Sequence, residues 1–379
     1  MRQPTGMKVP LVDLGAQYDT IRDEVVAAVT RVCDSQRFIL GPEVELVEKE
    51  LAEYLSAKHA VGMSSGTDAL LAIMMGLGVG PGDEVITTAY SFFAAAGSIA
   101  RLGATPVFVD INPATFNIDP DAARAAMTSR TKAIVPVHLF GLSADMDPLL
   151  EAVSKHGVPI IEDACQAFGA RYRGLPVGAL GVAGGLSFFP SKSLGAYGDG
   201  GLIVTNDGVL AERLRLLRAH GAEPKYVHKI VGGNFRLDAM QAAILRAKLP
   251  HVSQWFEARR EAASRYRHLF ADADVEVFGV ELPVEPQDRW HTYHQYVVRA
   301  PRRDELHAHL ESHGIETAIY YPVPLHRQEC FASLGYSEGT LPQSEAAART
   351  ALALPMYPEL TEEQQAHVVK TIAEYLRMS

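Results

Sequence analysis

Between residue 60 and about residue 205 the sequence alternates two kinds of segment, and few folds accept that alternation. Short apolar, β-branched runs occur at EVITT (84–88), PVFVD (106–110), KAIVPV (132–137), VPIIED (158–163), GLSFF (185–189) and GLIVT (201–205). Between them lie the helix-like stretches DALLAIMMGLG, FFAAAGSIARLG, DAARAAMT and MDPLLEAVSKHG. A strand covered on both faces reads as an unbroken apolar run. Such runs separated by helical stretches predict a mainly parallel α/β sheet with helices on both sides. Ligands of such sheets bind beyond the carboxyl ends of the strands.

The flanks read differently. Residues 19–34 and 43–57 have helical spacing and are parted by Gly41-Pro42. After residue 209 come three long amphipathic stretches, LAERLRLLRAH, LDAMQAAILRAKL and VSQWFEARREAASRYRHLF, with Pro250 breaking the last two apart. From about residue 275 a smaller α+β portion follows. It has a strand at HQYVVRA, a helix at 302–313, the loop YYPVPLHRQ and a last helix at 361–377. This divides the chain into a large domain, residues 1–250, and a small C-terminal α+β domain, residues 251–379.

Composition narrows the function. The 379 residues are 47% hydrophobic and 21% charged, with a net charge of −10, so a sizeable core is available. An acidic chain without a basic stripe is not expected to bind nucleic acid or a membrane surface. A small anion remains possible, because a few local donors suffice. Cys33, Cys165 and Cys330 are far apart and no CxxC occurs, which predicts neither a disulfide framework nor a zinc site and fits a reducing cytoplasm. The N-terminus lacks an apolar leader, and no run approaches the ~18 apolar residues of a membrane span.

Three stretches carry chemistry. SSGTDALL (64–71) places Ser64, Ser65, Gly66 and Thr67 at the start of an apolar helix. That is either an ordinary N-cap or a phosphate cradle favoured by the helix dipole. In VPIIEDACQAFGA, Asp163 ends an apolar strand, where a carboxylate caps a turn or meets a cation; Cys165 reads as core. In SFFPSKSLGAYGDGG, Lys192 stands alone between an apolar run and a glycine-rich turn. It is either a loop lysine or an amine whose pKa is lowered enough to attack a carbonyl. Together the three match pyridoxal phosphate, which needs a Schiff-base lysine, an acid opposite its ring nitrogen and a phosphate cradle. Tyr90, just after EVITT, is a candidate to stack on the ring, and Ser187 can add a hydroxyl to the phosphate. The stretch GLGVGPGD is not a G-x-G-x-x-G fingerprint and ends a helix, so a nicotinamide enzyme is not expected.

On these motifs the chain resembles the DegT/DnrJ/EryC1/StrS sugar aminotransferases. The likeness runs from PLVDLGAQY through SSGTDAL, PVHLFGLSADM, IEDACQAFGA, SFFPSKSLGAYGDGG and GGNFRLDAMQAAIL to LPMYPELT. It implies the fold-type-I architecture of pyridoxal phosphate enzymes, with a mainly parallel seven-stranded sheet in the large domain. It makes Lys192 the Schiff-base lysine and catalytic base, and Asp163 the partner of the ring nitrogen. Gln166 is placed near the 3′-oxygen, Gly66, Thr67 and Ser187 at the phosphate, and Tyr90 against the ring. It further implies a homodimer with sites at the interface, Asn234 reaching the phosphate of the neighbouring subunit's cofactor. Arg236 is implied to meet an acidic group of the substrate, and Tyr321 and His326 to line the sugar pocket. The implied substrates are a nucleotide-linked keto-sugar and L-glutamate. NFRLD resembles family members acting on 3-keto sugars, whereas those acting on 4-keto sugars more often read NYRMT. Dehydratases of the family replace the lysine with histidine, which Lys192 argues against. A regulatory, DNA-binding role has no basic helix to support it.

Overall fold

The computed structural model describes residues 7–378. Among these, the strands β1 (His59–Met63), β2 (Glu84–Thr88), β3 (Thr105–Val109), β4 (Thr131–Val135), β5 (Ile161–Asp163), β6 (Ala183–Ser187) and β7 (Gly201–Thr205) build the central sheet. Its order is β1-β7-β6-β5-β4-β2-β3. Single parallel bridges, Ile134 to Ile160 and Val137 to Asp163, join the two halves at β5 and β4. Neighbours pair in parallel except around β7, which runs against both β1 and β6. The reversal has a local cause. A parallel return needs a crossover of a dozen or more residues, usually a helix, and 188–200 contains none.

Both faces of this sheet are dry, which is why its strands read as unbroken apolar runs. Along β7, Leu202 and Val204 join one apolar cluster while Ile203 joins the other. The first cluster packs under α1 (Leu14–Ser35), α2 (Pro42–Tyr54), α6 (Met146–Ser154) and α8 (Ala239–Lys248). The second packs under α3 (Gly66–Gly76), α4 (Ala94–Arg101) and α7 (Gly208–Leu217). A short helix, α5 (Pro120–Ala125), rests on α6.

A second core lies around the antiparallel strands β8 (Tyr296–Arg299) and β9 (Ala351–Leu354). The helices α10 (Arg303–Ser312) and α12 (Glu362–Met378) cover it, and α11 (Pro342–Thr350) leads into β9. The long helix α9 (Val252–Asp272) belongs to both cores. Val252, Trp255 and Phe256 pack with the large sheet, and Ala262, Ala263, Tyr266 and Phe270 with the small one. Val9 also sits in the small core, bridged to Ile315.

Candidate active site

The carboxyl ends of the parallel strands surround a cavity of about 400 Å3. It is reached from β1 by Ser65, Gly66 and Thr67, from β4 by Val137, from β5 by Asp163, and from β6 by Ser187. Because β7 is antiparallel, it begins where β6 ends. The loop between them therefore closes on the same edge and brings Ser191, Lys192 and Asp199 to the cavity.

The start of α3 is shaped as an anion site. The Ser65 hydroxyl accepts from the Asp68 N–H at 3.0 Å, and Ser64 Oγ donates to Asp68 Oδ2 at 2.6 Å. These bonds fix the cap and leave the N–H groups of Gly66 and Thr67 without an intrahelical partner, as the first turn of any helix does. Gly66 permits a close approach. A Cβ there would stand 2.7 Å from Ser187 Cβ and 2.8 Å from Cys165 Sγ. Ser187, at the end of β6, thus adds its hydroxyl beside two free N–H groups and the positive end of a helix dipole.

Asp163 closes β5 and is 4% exposed. Burial raises its pKa, and the Cys165 N–H, at 3.1 Å, is the hydrogen bond that its carboxylate accepts. A carboxylate so placed calls for a cation on its cavity side. Lys192 is half-buried, and no hydrogen bond or ion pair holds its amine among the described residues. Burial lowers the amine's pKa, against the opposing pull of Cys165 and Asp163, which favours the free base. Gln166 is held in place from two sides. Its Oε1 accepts from the Phe140 N–H at 3.1 Å, and its Nε2 donates to the Tyr321 hydroxyl at 2.9 Å.

Two expected residues lie elsewhere. Tyr90 is fully buried and outside the cavity lining. Its hydroxyl donates to the Tyr320 carbonyl and accepts from the Tyr321 N–H at 2.9 Å, and its ring stacks on Phe116. Tyr90 therefore anchors the 320–321 turn, and the nearby aromatic of its own loop that lines the cavity is Phe92, 55% exposed. His326 is 2% exposed, bonds Glu345 at 3.2 Å and lines neither this cavity nor its neighbour. It ties its loop to α11, whereas Tyr321 does face the cavity.

Asn234 and Arg236 line a second cavity of about 440 Å3, together with Ile39, Ser64, Gly198, Asp238 and Gln241. It adjoins the first at Asp199, which lines both. Sequence reasoning passed over Phe92, Phe189, Asp199, His294 and Gln295. Phe92 lies in a run of two phenylalanines that reads as helix start, and His294 and Gln295 sit in a strand-like stretch far along the chain.

Pyridoxal phosphate fits this donor set. The free N–H pair with Ser187 suits its phosphate, the unpaired Lys192 amine its aldehyde, and the buried Asp163 carboxylate a protonated ring nitrogen.

A model of the DegT/DnrJ/EryC1/StrS aminotransferase family matches residues 19–373. The "pleiotropic regulatory protein" of Geobacillus stearothermophilus is 54% identical, covering 98% of this chain and 99% of that one. The "dTDP-3-amino-3,4,6-trideoxy-alpha-D-glucose transaminase" of Streptomyces venezuelae is 45% identical, covering 97% and 96%. The crystal structure of S. venezuelae DesV in complex with a ketimine intermediate superposes with a TM-score of 0.94 at 45% identity, covering 97% of this chain and 98% of that one.

Proposed function

The chain belongs to the DegT/DnrJ/EryC1/StrS aminotransferase family and is a pyridoxal phosphate-dependent sugar transaminase, and on that premise we propose that it aminates C3 of a keto-sugar carried on dTDP or UDP, with L-glutamate as donor. The observation that carries this reading is the convergence of Lys192, Asp163 and the Gly66–Thr67 N–H pair on one cavity. The 45% identity to a 3-amino-sugar transaminase supports C3; a 4-keto sugar is the alternative.

When bound, the cofactor supplies an electron sink that makes the donor's Cα–H acidic. The Lys192 amine, low in pKa, would take that proton from the donor Cα and return it two atoms away, at C4′, as general base and then acid. The Asp163 carboxylate keeps the proton on the ring nitrogen. Gln166, steadied by Tyr321, would offer its amide to the 3′-oxygen, and Phe92, on the cavity wall, would pack against the ring. Gly66, Thr67 and Ser187 hold the phosphate and so fix where the reacting carbon lies relative to Lys192.

A homodimer completes the site in this reading. The second cavity is lined by an exposed apolar side chain, Ile39 at 58%, a surface that a second copy would cover. Across it Asn234 would reach the phosphate of the neighbouring cofactor, and Arg236 an acidic group of the nucleotide-sugar. Asn234→Ala then loosens cofactor retention on dialysis, and wild-type retention would remove that role. No helix among the described residues is long and apolar enough to cross a membrane. We place the enzyme in the cytoplasm, feeding amino-sugars to glycan or lipopolysaccharide assembly.

The deciding experiment is a panel of 3-keto and 4-keto nucleotide-sugars with glutamate, run on wild type and Lys192→Ala. Wild type should aminate the 3-keto members and Lys192→Ala none. Turnover by the variant would end the role of Lys192, and turnover of 4-keto members alone would end the C3 assignment.

A further inference from the structure

A second lysine near the active site has no part in the mechanism above. Lys248 ends α8 and is 1% exposed, which is rare for a lysine. Its Nζ donates to the Gly195 carbonyl at 2.7 Å. It also lies 5.1 Å from the ring centre of Tyr197 and 5.7 Å from that of Trp255. No carboxylate bonds it among the described residues. Glu359 acts on it from farther off, and burial takes its pKa down to about 8. The same Glu359 acts on Arg259, the neighbouring buried cation on α9. Lys248 lines neither cavity.

A buried amine without an ion pair is an unfavourable element of a fold, so its partner is informative. Gly195 and Tyr197 belong to the loop that carries Lys192. Within the loop, the Lys192 N–H bonds the Phe189 carbonyl and the Ala196 N–H bonds the Phe188 carbonyl, both at 2.8 Å. From outside, α8 grips the loop twice. Gln241 Oε1 accepts from the Tyr197 N–H at 2.8 Å, and Lys248 holds Gly195, about two turns farther along the same face of the helix. Gly195 itself is pressed on the Pro190 carbonyl, where a Cβ would come within 2.3 Å, so no side chain can serve as the anchor there.

We infer that Lys248 is a positioning residue for Lys192: by tying the Gly195 carbonyl to α8 it fixes the loop from which the reactive amine projects. The inference rests on Lys192 being the amine that bonds the cofactor. Misplacing a reacting group by about 1 Å can lower a rate roughly a hundredfold.

The test uses the holoenzyme and three variants, Lys248→Met, Lys248→Gln and Lys192→Ala. Borohydride reduction followed by peptide mapping first shows which lysine carries the cofactor. Label on Lys248, or on neither lysine, would overturn the premise and with it the inference. With label on Lys192, Lys248→Met should lower kcat by roughly tenfold to a hundredfold and leave the KM for the nucleotide-sugar unchanged. It should also slow capture of pyridoxal phosphate by the apo-protein and shift the pH midpoint of the visible cofactor band. A purely structural lysine would move the melting temperature and none of these. Lys248→Gln keeps a donor for Gly195 without the charge and should recover part of kcat; it also serves if Lys248→Met does not fold. Wild-type kcat, capture rate and band midpoint in the folded variants overturn the inference.

Discussion

Replacing Gly66 with Ala tests the phosphate cradle most directly. The added Cβ would stand 2.7 Å from Ser187 Cβ and 2.8 Å from Cys165 Sγ, and both neighbours sit on or just beyond sheet strands that yield little. Ser187 must move by several tenths of an ångström, and its hydroxyl moves with it. Overpacking of this kind costs about 1–3 kcal/mol of stability. Each charge-assisted hydrogen bond lost to a phosphate is worth about 1.5–3 kcal/mol, and ~1.4 kcal/mol is a factor of ten in affinity. Losing one bond thus predicts cofactor binding weaker by roughly tenfold to a hundredfold. The assay is titration of apo-protein with pyridoxal phosphate and, in parallel, with pyridoxal, which lacks the phosphate. The variant should lose affinity for the first and keep its weak affinity for the second. Equal losses for both ligands, or no loss for either, would refute the placement of the phosphate at Gly66.

Asp163→Asn should preserve the fold but lower kcat by roughly a hundredfold or more, on the scale of removing one preorganised electrostatic contact; steady-state kinetics beside a circular dichroism spectrum check it. Tyr90→Phe removes the link to Tyr320 and Tyr321 and should destabilise the protein by about 1–3 kcal/mol in urea unfolding, with cofactor affinity retained. Phe92→Ala should do the reverse, sparing stability and weakening cofactor binding several-fold, the scale of an aromatic contact of about 0.5–1.5 kcal/mol. His326→Leu leaves Glu345 without its imidazole and should lower the melting temperature while the KM for the sugar stays at the wild-type value.

The sheet was legible because both its faces are covered. The runs at 84–88 and 201–205 coincide with strands, and the others overlap theirs. The reversed sense of β7 was less visible, since an apolar run carries no direction; the missing helix in 188–200 was the available signal. Asp163 stood out because a residue ending a buried strand has few structural excuses for a charge, Lys192 because it stands alone beside a glycine-rich turn, and Gly66 because it opens an apolar helix among hydroxyl residues. Tyr90 and Phe92 could not be told apart, because two aromatics just past a strand differ only in which way the chain turns next. His326 misled for a similar reason. A histidine in a proline-rich loop suggests solvent or substrate, and only the fold brings Glu345 against it. His294 and Gln295 reach the cavity from the second core, by contacts that span the chain and leave no local pattern. The N-terminal Val9 joins that core in the same way.

The 21-residue helix α9 has a mechanical consequence. Its first turns are packed into one core and its last turns into the other, with no break between. Admission of a bulky nucleotide-sugar then cannot come from the two bodies drawing apart along α9, because that would strip buried aromatics from one end. Tyr320 and Tyr321, tied to Tyr90 and Gln166 beside the large sheet, are held with it, so the rim of the cavity is braced from both cores at once.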